Sequence, residues 1–234
     1  MVRNRGGIFV SRQLPRGADL FYDLKKYLCN LTVAEVFDVG ANVGQSTDEY
    51  LKEFTGARIW CFEPSAEMFS LLKARYNKNS QIVCNKLALG NQIGSISLNM
   101  TDNSTMSYVE DALTELPYGV KSEGAETVSI TTLDSYCEQW DVEHIDFLKI
   151  DTEGHDLAVL EGGRRMIHGA CLDLVQCECS MSPDNKFHRP FESSEFLEPH
   201  GYRVFALYDQ FAEAYPPLPN LRRVNAVFVS RHLL

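Results

Sequence analysis

Val36-Phe-Asp-Val-Gly-Ala-Asn-Val-Gly44 runs from an apolar stretch into a glycine-rich turn, and a second apolar stretch, Arg58-Ile-Trp-Cys-Phe-Glu63, ends on an acid followed by Pro64. The residues Val36 to Val39 suit a buried parallel strand, and Gly40 and Gly44 punctuate the turn into a helix. A glycine there lets the backbone turn tightly and approach a ligand with no Cβ in the way. In a doubly wound sheet, an acid at the tip of the second strand accepts hydrogen bonds from ribose hydroxyls. Glu63 holds that position, which predicts a nucleoside site.

The glycine spacing narrows the nucleoside. Dinucleotide folds space their glycines G-x-G-x-x-G, which brings a helix N-terminus against a pyrophosphate. Here the pattern is Asp38-x-Gly40-x-x-x-Gly44, with a carboxylate at the end of the first strand. A carboxylate is poorly placed beside a pyrophosphate and well placed beside an ammonium group. S-adenosylmethionine (SAM) offers an ammonium group, a sulfonium and a ribose, and has no phosphate. The spacing favours SAM, with Asp38 and Glu63 assigned to it. A tight strand-to-helix connection needing glycine only for its dihedrals is the plainer alternative.

Further segments extend the reading. Ile145-Asp-Phe-Leu-Lys-Ile-Asp-Thr-Glu-Gly-His-Asp156, continuing to Val159-Leu-Glu-Gly-Gly163, closely resembles the signature of the FkbM family of methyltransferases. So do Asp38 to Gly44, Phe62-Glu-Pro64, Ala88-Leu-Gly90, Thr132-Leu-Asp134 and Gln176-Cys-Glu178, in the family's order over about residues 35–207. The resemblance implies a SAM-dependent enzyme acting mostly on hydroxyl groups of sugars and secondary metabolites. It also implies a Rossmann-like, class I methyltransferase fold of the α/β class. That fold is a mostly parallel seven-stranded sheet with an antiparallel last strand, here carrying a small β insertion.

Bulk properties agree with a single domain of moderate size. At 234 residues the chain is long enough for a substantial core. The formal net charge of −10 argues against nucleic acid, whose binding depends on neutralising phosphates with Lys and Arg. No apolar run reaches the length of a membrane span, and Met1 to Gly7 has no hydrophobic stretch like a signal peptide's, so a soluble, cytoplasmic protein is expected. The seven cysteines are odd in number and several sit in apolar runs, which suits buried free thiols in a reducing compartment. Cys177-Glu-Cys179 is the only close pair, and no second pair completes a zinc site. The oligomeric state is not legible.

Along the chain, residues 1–34 read as an N-terminal extension with a helix from Asp19 to Leu28, and 35–234 as the methyltransferase domain. Strands at 36–39, 58–63 and 81–84 alternate with helices from about Gln45 to Phe54 and Ser65 to Tyr76, the pattern of right-handed βαβ units. Ile93 to Met100 and Thr127 to Thr131 alternate as half-exposed strands outside the parallel core, and the polar stretch 101–126 between them reads as a lid or a surface loop. The alternation resumes with a helix near Leu133–Gln139, strand 145–150, helix 155–161, strand 172–177 and a helix near Phe191–Glu198. Two final apolar runs, Tyr202–Leu207 and Asn225–Val229, close the sheet as a hairpin-like pair by the resemblance.

Ligands of open α/β sheets bind beyond the carboxyl ends of the strands. Asp38, Glu63, Asp151 and Glu178 all fall at predicted strand ends. Asn42 and Ser46 lie on the turn and first helical positions, within reach of the methionine carboxylate, and Leu87 and Ala88 occupy the family's adenine-contacting segment. Methyl transfer to an aliphatic hydroxyl needs a base at hydrogen-bond distance. Glu153 is the leading candidate, with Asp151 and Glu178 in the same cluster and His155 a weaker one. Some sugar methyltransferases place a divalent ion where Asp151 and Glu178 fall, but two acids do not fill its shell, and no metal is assigned. The stretch 180–190, with His188 and Arg189, reads either as acceptor-lining or as an ordinary loop. Two rival functions stay open: methyl transfer to the nitrogen of a peptide or amine, and nucleoside binding without catalysis.

Overall fold

The computed structural model describes residues 2–3, 9–10, 13–101, 108–109, 121–181, 192–212 and 221–234. Residues 182–190 of the expected acceptor stretch 180–190, and most of the expected lid or loop 101–126, lie outside the described residues. A short antiparallel pair, β1 (Val2–Arg3) and β2 (Phe9–Val10), precedes the main fold. Helix α1 (Leu20–Tyr27) follows, its first turn capped by the Asp19 carboxylate accepting from the Tyr22 amide at 2.8 Å.

The main sheet has seven strands. In chain order these are β3 (Glu35–Val39), β4 (Arg58–Phe62), β5 (Ile82–Asn85), β10 (Ile145–Ile150), β11 (Leu172–Ser180), β12 (Tyr202–Ala212) and β13 (Leu221–Ser230). Their order in space is β12-β13-β11-β10-β3-β4-β5, and β13 runs antiparallel to both of its neighbours. The sheet order reverses beside β3, with β4 on one side and β10 on the other, which opens a crevice at the carboxyl ends of these strands. This is the mostly parallel sheet with an antiparallel last strand that the resemblance implies.

Alternation along each strand sorts the core into two faces. Val36, Ile59 and Cys61 point into one cluster with Tyr50, Leu72 and Tyr76, contributed by α2 (Gln45–Glu53) and α3 (Ala66–Tyr76). Leu24 of α1 belongs to the same cluster, as do Phe205 and Val229, so this helix is part of the core. Phe37, Trp60 and Phe62 point the other way, onto α4 (Leu133–Gln139), α5 (Asp156–Glu161), α6 (Arg164–His168) and α7 (Glu192–Leu197). There the Tyr136 ring meets Phe62 edge-on at 4.7 Å between centroids. Burying a side chain such as Phe37 completely contributes about 1.5–3 kcal/mol.

The expected interruption is a second sheet of four strands: β6 (Ala88–Leu89), β7 (Gly94–Thr101), β8 (Tyr108–Val109) and β9 (Ser122–Thr131), ordered β6-β9-β7-β8. Its buried face, with Ala88, Leu98, Val128 and Ile130, forms a satellite core. Several bounds differ from expectation: β9 begins at Ser122, inside the stretch read as a lid or loop, and β12 and β13 extend to Ala212 and back to Leu221, beyond the expected 202–207 and 225–229. Strand β11 continues to Ser180 because β13 pairs with it as far as Ser180 opposite Arg223. Helix α6 was not foreseen, because Gly162 and Gly163 break the periodicity just before it. Among the described residues, no helix is long and apolar enough to cross a membrane.

Candidate active site

A cavity of about 680 Å³ opens at the crevice, within the size range of small-molecule sites. The turn after β3 contributes Gly40, Ala41 and Asn42, the start of α2 contributes Gln45 and Ser46, and the tip of β4 contributes Glu63 and Pro64. The turn after β10 contributes Asp151, Thr152, Glu153 and His155. Leu87 and Ala88 line it together with Leu98, Val109 and Val128, so the small sheet forms an apolar wall opposite the polar strand tips.

Glu63 is held from both sides by backbone amides. Oε2 accepts from Asn42 N at 3.0 Å and Oε1 from Ser65 N at 2.8 Å. A carboxylate has about four lone-pair sites, so two amides leave acceptor capacity facing the cavity. Burial raises its pKa to about 7, and the two amide hydrogen bonds only partly counter that rise.

Lys149 is the ordering element that the sequence reading did not single out. It is the one cation of the buried strand β10 and stands level with Asp38 on the neighbouring parallel strand. Its Nζ lies 3.2 Å from Asp38 Oδ1 and 3.6 Å from Asp151 Oδ2, and donates to the Gly40 carbonyl at 3.0 Å. Burial disfavours the Lys149 charge, but the Asp38 and Asp151 carboxylates outweigh it and raise the pKa well above the ordinary range. One ammonium thus ties together the ends of β3 and β10 and the first carbonyl of the glycine turn.

Asp38 is consequently enclosed. Its residue has no exposed surface, and Oδ2 accepts from the Thr47 hydroxyl at 2.7 Å. It does not line the cavity, so the expected contact with an ammonium group of the ligand is replaced by the Lys149 ammonium. Gly44 does not line the cavity either. It has φ +91°, and a Cβ there would come within 2.6 Å of the Tyr76 ring, whose hydroxyl donates to the Gly44 carbonyl at 2.8 Å. Gly40 does line the cavity, yet its conformation has a protein cause. With φ +77°, an added Cβ would stand 1.9 Å from the Asp151 carbonyl oxygen.

Glu178 departs from the expected acid cluster. Because β11 extends beyond it, Glu178 lies within the strand opposite Asn225 and is buried, outside the cavity lining. Its carboxylate pairs with the Arg223 guanidinium, and Arg223, Arg222 and Phe211 line the cavity instead. The Arg223 guanidinium carbon sits 4.6 Å from the centre of the Phe211 ring. Phe211 is placed by a register irregularity in the β12–β13 pairing, a common device near functional sites.

Glu153 and Asp151 remain together at the tip of β10. Glu153 has φ +51°, an uncommon conformation for a residue with a side chain, followed by Gly154 at φ +97°. The turn is braced by the Thr152 amide donating to Asp156 Oδ1 at 3.3 Å. Behind it, the Ala88-Leu-Gly90 and Glu161-Gly-Gly163 motifs meet: a Cβ on Gly162 would stand 2.0 Å from the Gly90 carbonyl oxygen. A Cβ on Gly90 would be 2.6 Å from His155 Nε2, so close packing there seats the His155 ring. All seven cysteines are free thiols, with Cys177 and Cys179 both packed in the same core cluster.

The chain belongs to the FkbM methyltransferase family: the family model described as the methyltransferase FkbM domain matches residues 38–204. It is 20% identical over 142 residues to the 2-O-methyltransferase NoeI of Sinorhizobium fredii, covering 56% of this chain and 58% of that protein. It is 24% identical over 152 residues to the hexuronic acid methyltransferase AglP of Haloferax volcanii, covering 63% of this chain and 57% of the relative. The match therefore spans less than two thirds of the length of either curated relative. Among solved structures, precorrin-6y C5,15-methyltransferase from Geobacter metallireducens aligns with a TM-score of 0.44 at 12% identity, over 87% of this chain and 85% of that one.

Proposed function

We propose that this member of the FkbM methyltransferase family binds SAM in the cavity above β3 and β4 and methylates a hydroxyl group of a sugar or glycosylated metabolite. The observation that carries the reading is a single cavity with Glu63 at the tip of β4, on one side of β3, and the Asp151 and Glu153 pair at the tip of β10, on the other. The residues fit the cofactor. Glu63 keeps acceptor capacity for a ribose diol, and Leu87, Ala88 and Met68 offer apolar surface to an adenine ring. Asn42, Ser46 and the positive N-terminal end of α2 suit the methionine carboxylate. With Asp38 enclosed, Asp151 is the cavity carboxylate next to β3 that suits the ammonium group.

SAM, when bound, supplies an electrophilic methyl group on its sulfonium. The chain's own task is to align the acceptor and take its proton. An aliphatic hydroxyl is a weak nucleophile until deprotonated, and Glu153 is the general base in this reading. Phe211 offers a half-exposed aromatic face for a sugar ring, with Arg222 and Arg223 beside it. The names of the two relatives, one a 2-O-methyltransferase and the other acting on a hexuronic acid, support a saccharide acceptor.

The test combines titration calorimetry with SAM, its demethylated product and NAD with a methyl-transfer screen over neutral saccharides, uronic-acid saccharides, peptides and amines. SAM binding and a methyl ether on a saccharide are expected. Transfer only to nitrogen would overturn the acceptor, tighter binding of NAD would overturn the cofactor, and binding without any transfer would leave a nucleoside-binding protein.

A further inference from the structure

At the opposite end of the sheet from the cavity, two carboxylates meet. Asp146 and Asp173 are the second residues of β10 and β11, parallel strands in which Ile145 is level with Leu172. The two side chains therefore emerge next to each other, on residues that are only 9% and 6% exposed. Like charges so placed raise each other's energy unless a positive group sits between them. His144 Nε2 lies 3.0 Å from Asp173 Oδ1 and 3.7 Å from Asp146 Oδ1. These three ligand atoms all fall within 4.8 Å of one another. His232, on the short helix Arg231–Leu233 after β13, brings its Nε2 to 2.7 Å from the same Asp173 oxygen.

We propose that His144, Asp146 and Asp173 form a structural site for one divalent transition-metal ion, zinc by ligand preference, with His232 orienting Asp173. An imidazole with two carboxylate oxygens is a borderline donor set that suits zinc, whereas calcium and magnesium favour oxygen alone. Around a tetrahedral zinc ion with bonds of about 2.0–2.1 Å, ligand atoms stand roughly 3.3 Å apart. The two His144 separations bracket that value. One dipositive ion would offset both aspartates at once, whereas His232 reaches only Asp173.

The supporting shell is built on other elements. Asp146 Oδ2 accepts from the backbone amides of Ala34 and Glu35 at 2.7 and 2.8 Å, which fixes the carboxylate and turns Oδ1 toward His144. The Ser230 hydroxyl lies 2.7 Å from His232 Nδ1 and fixes the ring that meets Asp173. Hydrogen-bonded outer partners of this kind orient metal ligands. The His144 side chain is 42% exposed, which leaves an entry path. The six residues of β10 separate the site from the tip that carries Asp151 by roughly 17–20 Å. The ion would tie β10 to β11, with the C-terminal segment joined to it only through the His232–Asp173 contact, and take no part in methyl transfer.

The test strips the full-length protein with a chelator and titrates it with Zn²⁺, and separately with Co²⁺ for its visible spectrum, in wild type, His144→Gln and Asp173→Asn. Wild type should bind one equivalent and, at a hundredfold excess over Kd, melt about 5–10 °C higher than in chelator. Both variants should lose the metal-dependent rise while keeping the wild-type circular dichroism in chelator. His232→Gln should weaken binding about 10–100-fold. Equal binding by wild type and His144→Gln, or binding by neither, would overturn the site. So would an intense thiolate-to-cobalt charge-transfer band, which would place the ion on cysteines. A wild-type melting temperature that follows pH and not metal would assign the cluster to protonated histidine alone.

Discussion

The Lys149 ammonium lies 3.2 Å from the Asp38 carboxylate on the adjacent strand, and neither residue reaches solvent to any useful extent. Because the same ammonium holds the Gly40 carbonyl and approaches Asp151, the pair fixes the two strand tips on which the proposed cofactor and base positions depend. The acid at the end of the first strand therefore shapes the site from behind.

Removing one partner should expose the cost of burying the other. Lys149→Met leaves the Asp38 charge unpaired in the core and should destabilise the fold by about 3–5 kcal/mol. The double variant Asp38→Asn/Lys149→Met should recover much of that loss, since a neutral pair needs no counter-charge. Urea unfolding of the two single variants and the double variant checks this coupling. Strictly additive losses would mean that the two groups are not paired in solution.

Glu63 makes both stability and SAM binding depend on pH. Its pKa rises from 4.5 to about 7 on folding, so the folded state holds a proton that the unfolded state has released between those values. Stability should therefore fall as pH rises from about 4.5 to 7, by up to roughly 3 kcal/mol. SAM affinity should move the other way, because an ionised carboxylate is the better acceptor for a ribose diol. At pH 6 affinity should be about tenfold below its high-pH plateau. Calorimetry from pH 5.5 to 8.5 reads this trend, and Glu63→Gln should flatten it while weakening binding at high pH.

Gly40→Ala should harm folding and cofactor binding together. The residue combines φ +77° with a hypothetical Cβ 1.9 Å from the Asp151 carbonyl oxygen, a backbone atom with little freedom to yield. The left-handed conformation alone costs about 1–2 kcal/mol for a residue with a Cβ. Denaturation midpoints and SAM titration should fall in parallel. Full stability with binding abolished would instead make the glycine a matter of ligand clearance.

Local patterns carried the parallel core, because apolar runs and glycine turns alternate within short windows, and Leu133–Gln139 and Ile145–Ile150 match their expected bounds. Residues of the β3 and β10 turns could be brought together from their motifs. The misplacements arise from pairing between distant segments. Glu178 looked like a strand tip until β13 extended its strand to Ser180. Arg222, Arg223 and Phe211 reach the cavity only through the β12–β13 hairpin and its bulge, which no local signal announces. Lys149 did leave a signal. The strand Ile145–Ile150 holds one cation, Lys149, near the end opposite its own Asp146, so a buried acid on a neighbouring strand is required, and Asp38 lies level with it on β3.

Glu153 is the residue on which the proposed chemistry turns. It lines the cavity at φ +51°, held there by a turn that Gly154 and the Thr152–Asp156 hydrogen bond brace. Glu153→Gln keeps the shape and removes the basicity, so turnover of a hydroxyl acceptor should fall about 10²–10⁴-fold with SAM affinity nearly unchanged. Glu178→Gln should cost far less, because that carboxylate lies behind Arg223 outside the cavity. Asp151→Asn should weaken SAM binding before it slows turnover at saturation, if its partner is the ammonium group. Single-turnover rates at saturating SAM, together with SAM titrations of each variant, separate these three outcomes. Near-wild-type chemistry in Glu153→Gln would move the base elsewhere or make the acceptor an amine, which needs no such carboxylate once deprotonated.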